Sequence, residues 1–182
     1  RICHGSCVIV RALRQPAAYL DRPARVDFLQ THISWLFFTD RFVYKVKKPV
    51  NFGFLDFTSL AARKQFCEEE VHLNRRLAPG VYMGVVEINA CDGDIRLGGP
   101  GDPVEYAVQM HRLPEERMLP AQLAKGQVTP ETMQRLAQLL AYFHAHADTG
   151  GEVNQGGSLA TILANWEENF AQTAPYLDFP LS

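Results

Sequence analysis

Apolar and basic residues alternate over Phe42-Val43-Tyr44-Lys45-Val46-Lys47-Lys48-Pro49, the period of a strand that buries one face and offers lysines on the other. Val43, Lys45 and Lys47 share one face; Phe42, Tyr44 and Val46 share the opposite one, which is apolar enough for a core. Val26 to Gln30 and Trp35 to Thr39 read as two earlier strands. The short joins Thr31-His32-Ile33-Ser34 and Asp40-Arg41 make the three an antiparallel meander. After a Gly-punctuated, aromatic loop at 51–57 the period changes to that of a helix, with Asp56 or Thr58 as N-cap, running to about Ala78 and closed by Pro79-Gly80. Leu60, Cys67, Val71 and Leu77 mark its buried stripe, and Glu70 falls on that stripe. A lone carboxylate there needs a cation. Alternatively, Glu70 is a solvated member of the run Glu68-Glu69-Glu70.

Further along, Tyr82 to Asn89 and Ile95 to Leu97 read as a hairpin over Asp92-Gly93-Asp94, and Val104 to Met110 as another strand after a loose Gly- and Pro-rich loop. His111-Arg112-Leu113-Pro114 has the composition of a hinge. A short helix is expected from Met118 to Ala124 and a strong one from Thr129 to His146, with Thr129 as N-cap, Pro130 at the first helical position and a buried stripe of Leu136, Leu139, Leu140 and Phe143. Asp148 to Gly157 reads as a polar linker. Ser158 then caps a last helix whose Leu159, Ile162, Leu163, Trp166 and Phe170 form one apolar face, expected to be core in a complete protein and to invite self-association where uncovered. Residues 1–25 are poorly patterned, with a short helical stretch at Val8 to Leu13, and no chemistry is assigned to them. The pattern is α+β, divided as 1–25, 26–113 and 114–182.

Composition narrows the function classes. The chain has 182 residues, 47% hydrophobic and 21% charged, as expected of an ordinary globular protein. A formal net charge of -2 argues against a coat for nucleic acid or anionic membrane, so any basic site is local. No run of about 18 apolar residues predicts a transmembrane helix, no signal peptide is legible, and the cytoplasm is the expected compartment. Four scattered cysteines predict free thiols. Cys3, His4 and Cys7 make at most half a zinc site, so no metal is assigned to them. The chain begins at Arg1 rather than Met and stops straight after an apolar cluster; both ends are expected to lie inside a longer protein.

Thr-His-Ile-Ser-Trp at 31–35, Tyr-Lys-Val-Lys-Lys-Pro-Val-Asn-Phe-Gly-Phe-Leu-Asp-Phe at 44–57, Cys-Glu-Glu-Glu at 67–70 and Leu-Asn-Arg-Arg-Leu-Ala-Pro at 73–79 together resemble the aminoglycoside-phosphotransferase-like, protein-kinase-like family, in the bacterial branch often fused to a P-loop ATP-binding domain. The resemblance covers about residues 10–182. It implies a kinase-like small lobe (an antiparallel sheet plus one long helix), a hinge, and the first helices of a truncated large lobe. It also implies ATP and Mg2+ as cofactors, with metal ligands expected beyond residue 182. Lys45 is then the phosphate-contacting lysine and Glu70 its partner. Thr31, His32 and Ser34 belong to the phosphate-covering loop, although that loop has no glycine. Gln109, Met110, His111 and Arg112 are the hinge that meets the adenine, and Val43 covers its ring. Strand parity favours Lys45 over Lys47, which would put a charge where Val43 lies. Lys47 and Lys48 are expected to be a solvated pair. His32 reads equally as a nucleotide contact and as a turn histidine, while His72 and His111 read as structural or exposed.

The family's His-Gly-Asp-x-x-x-x-Asn loop is absent from the chain. His146-Ala147-Asp148 with Asn154, and Asp178-Phe179-Pro180, imitate catalytic motifs at the wrong spacing and read as accidents. Two functions from different classes are therefore expected. One is the nucleotide-binding part of a phosphotransferase acting on a small-molecule hydroxyl of unknown identity; the other is a catalytically inactive nucleotide-binding or regulatory module. A remnant without either property is a third.

Overall fold

The structure is a computed structural model that describes residues 4–53 and 55–174. The chain divides into two compact units, 1–127 and 128–182.

The first unit is built on a six-stranded antiparallel sheet in the order β1-β2-β3-β6-β4-β5. The strands are β1 (Asp27–Gln30), β2 (Ser34–Phe38), β3 (Phe42–Lys47), β4 (Tyr82–Cys91), β5 (Asp94–Leu97) and β6 (Asp102–His111). Asp92 and Gly93 turn the β4–β5 hairpin with φ of 52° and 87°, the left-handed pair that a two-residue loop requires. Helix α1 (His4–Leu13) covers one face of the sheet and α2 (Leu60–Arg75) the other; α3 (Leu119–Ala124) closes the unit.

Alternation along β3 divides the two cores as expected. Tyr44 and Val46 join Trp35, Phe37, Ile88, Leu97 and Ala107 beneath Ile9 and Leu13 of α1. The short helical stretch expected at Val8 to Leu13 is the second half of α1, which begins at His4. Ile9 and Leu13 are one helical turn apart and buried, followed by buried Ala18 and Tyr19, whose hydroxyl donates to Leu13 O at 2.6 Å. Only half a stripe is apolar there, because the rest of α1 faces outward. On the opposite face, Cys67 and Val71 of α2 meet Tyr106 and Val108.

Both boundaries of α2 are corrected. Its N-cap is Ser59, whose Oγ accepts from Ala62 N at 3.1 Å. Asp56 instead closes a turn, accepting from the N–H and hydroxyl of Thr58, and these bonds hold its carboxyl below the usual range. The helix ends at Arg75 rather than near Ala78, which leaves Leu77 beyond the stripe and exposed.

The second unit holds α4 (Pro130–Ala145), α5 (Gly151–Gly156) and α6 (Leu159–Thr173). Thr129 and Ser158 cap α4 and α6 as their sequences predict, each hydroxyl accepting an N–H three residues on. Asp148 to Gly157 is not all linker, since α5 forms within it. Leu136, Leu139 and Leu140 of α4 are exposed rather than buried, and so is the α6 face of Leu159, Ile162, Trp166 and Phe170. The helices of this unit pack too sparsely on one another to cover either stripe. His146 stacks on Tyr142, and Asn154 accepts from Gly150 N at 3.1 Å; Asp178-Phe179-Pro180 lies outside the described residues. No helix among the described residues is long and apolar enough to cross a membrane.

Candidate anion-binding site between the sheet and helix α2

Helix α2 is fastened to the sheet at three levels, with Arg63 and Glu70 two turns apart on one stripe and Arg75 on an adjoining one. Near its start, Arg63 donates from Nε to both carboxylate oxygens of Glu105 on β6, at 2.9 and 2.8 Å, and from Nη1 to Phe57 O and Thr58 O. Both side chains are buried, and Glu105 also accepts from Tyr106 N at 3.0 Å. Near the end, Arg75 donates to Tyr82 O at 2.8 Å and to Met83 O, carbonyls beside a register shift in the β4–β6 pairing. Between these clamps lies Glu70.

Glu70 is shared by two lysines. Lys45 Nζ donates to Oε1 at 2.9 Å and Lys47 Nζ to Oε2 at 2.8 Å. Residues two apart on a strand present the same face, so a carboxylate above them meets both. The expectation of a solvated Lys47–Lys48 pair fails here. Lys47 is 7% exposed, bonded to Glu70 and 5.0 Å from the Phe57 ring, whereas Lys45 is 28% exposed. Burial works to raise the Glu70 pKa, but the hydrogen bonds from Lys47 and Lys45 outweigh it, and the net direction is down. Two ammonium groups therefore share one carboxylate, leaving one positive charge uncompensated, and the lysine nearer to solvent is the one free to present it. Beneath them, burial pushes the Cys67 thiol up to about 12, so it stays protonated.

Lys45 and Glu70 open onto a cavity of about 600 Å³. Thr31, His32, Ile33 and Ser34 form one wall, Leu36 and Met110 the floor, and Tyr82 the far side. The 31–34 wall is a tight turn: Thr31 N donates to Ser34 O at 2.9 Å, Ser34 N donates to Thr31 Oγ1 at 3.0 Å, and Lys48 N and Nζ hold Ile33 O and Thr31 O. Ser34 is 1% exposed, and its Oγ has no hydrogen-bond partner among the described residues. Desolvation, with the Glu70 charge adding to it, raises the pKa of Tyr82.

The ten residues singled out from the sequence separate into two groups. Lys45, Glu70, Thr31, His32, Ser34 and Met110 share the cavity. Val43 is on the same strand face but buried, paired in register with Phe38 and Met110. Gln109 points through the opposite face, where its side-chain N–H reaches the Tyr44 hydroxyl at 3.2 Å. His111 packs its ring 5.6 Å from Phe42, and Arg112 donates to Thr39 O at 2.8 Å and lies 3.6 Å from Asp27. Of the hinge residues, Met110 alone brings its side chain to the cavity. Sequence reasoning missed Tyr82, Leu36, Arg63 and Glu105. Tyr82 and Leu36 become visible only through the strand register, opposite Met110 and Lys45 respectively. Arg63 had a signal, since it precedes Cys67 by four and Glu70 by seven and so falls on the buried stripe.

No family model matches the chain, and no solved structure matches it. It is 28% identical over 153 residues to uncharacterized proteins of Mycobacterium tuberculosis strain H37Rv (Rv2004c) and of Mycobacterium bovis (Mb2027c). That alignment takes in 84% of this chain and 29% of each relative, so the chain spans less than a third of the length of the curated relatives it matches. What is established is an α+β protein, a curled antiparallel sheet held against α2 and followed by several helices, with these mycobacterial proteins as relatives.

Proposed function

We propose that this chain is the nucleotide-binding part of an ATP-dependent, kinase-like phosphotransferase whose acceptor is a small-molecule hydroxyl. The observation that carries this reading is the surplus positive charge at Lys45, presented to a cavity large enough for a nucleotide. Lys45 binds the phosphates, and Glu70 orients Lys45 while Lys47 holds Glu70 in place. The apolar floor of Leu36 and Met110 takes the adenine, and His32 lies at the rim within reach of the phosphates. Support also comes from the strand order, with α2 inserted between β3 and β4 so that its carboxylate faces the β3 lysines. That arrangement supports the small-lobe reading that the motifs at 44–79 suggest.

In transfer, the acceptor oxygen bonds to the terminal phosphorus, the bond to the leaving diphosphate breaks, and the hydroxyl proton passes to a base. The residues of this chain supply binding and charge stabilisation. No group of three His, Cys, Asp or Glu side chains that could hold a metal occurs among the described residues. Under this reading the base and the Mg2+ ligands come from other parts of a longer protein, in which a P-loop ATPase domain is a further expected partner. Lys45→Ala in that longer protein should lower the rate of phosphoryl transfer about 10²-fold or more, as loss of a preorganised donor does. An unchanged rate overturns the role of Lys45. A second reading is a binding or regulatory module that keeps the anion site of Lys45 and Glu70 without chemistry. ATP binding with no turnover in the longest natural product would select it.

A further inference from the structure

A second cavity, of about 530 Å³, opens on the other side of the sheet, between α1 and the edge strand β1. Its floor carries Val26, Phe28 and Trp35 beside the polar Gln30. Val26, Phe28 and Gln30 alternate along the chain onto this face, and Trp35 lies opposite Gln30 in register. Its wall carries Arg11 and Arg14, three residues apart on α1 and so neighbours on one helical face. Neither guanidinium has an ion-pair partner among the described residues; Arg14 lies 5.1 Å from the centre of the Phe28 ring.

The surrounding elements offer these arginines almost nothing acidic. Neither α1 nor β2 contains a carboxylate. The only one on β1, Asp27, points through the opposite face, where it meets Arg25 at 3.1 Å and Arg112 at 3.6 Å. Asp94 lines a neighbouring groove together with Arg11, but its carboxylate pairs with Arg96 at 3.2 Å. An aromatic floor beside two guanidiniums that hold no ion pair among the described residues is complementary to one ligand chemistry, a flat apolar body bearing an acid group. The floor takes the body by burial and stacking, and the arginine pair takes the acid through charged, fork-like hydrogen bonds. The volume lies in the range of small-molecule sites.

We infer that the groove between α1 and β1 is a binding site for a small organic anion with a planar apolar body, held by Arg11 and Arg14 over Phe28 and Trp35. It is separate from the Lys45 cavity and independent of any phosphotransfer there.

The test is an NMR titration of the 182-residue chain with 1-naphthoate and with its neutral analogue 1-naphthamide, following the Trp35 indole N–H. The Trp166→Phe variant, altered at an exposed site, assigns that signal. Saturable shifts with naphthoate, a Kd below about 1 mM and at least about tenfold weaker binding of naphthamide are expected. The double variant Arg11→Gln/Arg14→Gln, whose changes are on the surface and leave the thermal midpoint in place, should bind the two probes alike. Lys45→Met should leave the titration unchanged. Equal binding of both probes to the wild type, absence of a saturable shift, or loss of the shift in Lys45→Met would each overturn the proposal.

Discussion

The two faces of the sheet are built from opposite materials. Under α1 the contacts are almost wholly apolar, with Leu13, Phe37, Val46, Ile88 and Ala107 fully buried. Under α2 the same sheet buries Lys47, Arg63 and Glu105 and half-buries Lys45 and Glu70. Charges taken out of water recover their desolvation only through good geometry, and a well-packed apolar set of similar volume is often at least as stable. The α1 face therefore accounts for stability. The α2 face is costly by comparison, and what it obtains is position: a helix fixed at Arg63 and Arg75 so that Glu70 stands over two lysines.

The difference can be broken from either side. Phe37→Ala removes a fully buried ring and should cost about 3–5 kcal/mol in denaturant unfolding. The population that remains folded should keep its affinity for nucleotide. Arg63→Met strands the buried Glu105 and should cost about 3 kcal/mol or more. Adding Glu105→Leu removes the stranded charge and should restore over half of that loss. If the double variant is as unstable as the single one, the pair is contributing net stability and the contrast between the faces is lost.

Smaller effects sharpen the contrast. Lys47→Met replaces a buried stem at similar volume but leaves Glu70 to Lys45 alone, neutralising the surplus charge. Nucleotide affinity should fall about tenfold, or about 1.4 kcal/mol, although Lys45 itself is intact. Glu70→Gln tests the acid limb. The Glu70 pKa is depressed in the folded state, so its stabilisation is fully present above the ordinary carboxylate value of 4.5 and is lost as pH falls through the folded pKa. The stability gap between wild type and Glu70→Gln should be flat above about pH 4.5 and close below it. Least of all, native Cys67 should resist thiol reagents that label Cys7, because it is buried and its pKa lies near 12.

How much of this was legible follows from the kind of signal each feature leaves. Strand alternation at 42–47 placed both lysines on one face, and helical phase brought Glu70 to it. Neither could show that one carboxylate has an oxygen for each lysine, so Lys47 was read as solvated. Arg63 was hidden because a charged residue on a helix is ordinarily taken as surface, and its partner Glu105 is 42 residues away. Helix α1 left a weak trace because only Ile9 and Leu13, one turn apart, form its buried apolar stripe. The side-chain directions of Gln109, His111 and Arg112 depend on β6 alternation and on partners from β1 to β3, which no local pattern encodes.

The most direct measurement is calorimetric titration of ATP into the 182-residue chain beside its Lys45→Met variant, with thermal midpoints recorded for both. Saturable ATP binding by the wild type, at least about tenfold weaker in Lys45→Met at a matched midpoint, is the result expected if the surplus charge at Lys45 is the anion site. Equal affinity in the two proteins, or no binding by a folded wild type at millimolar ATP, would contradict it.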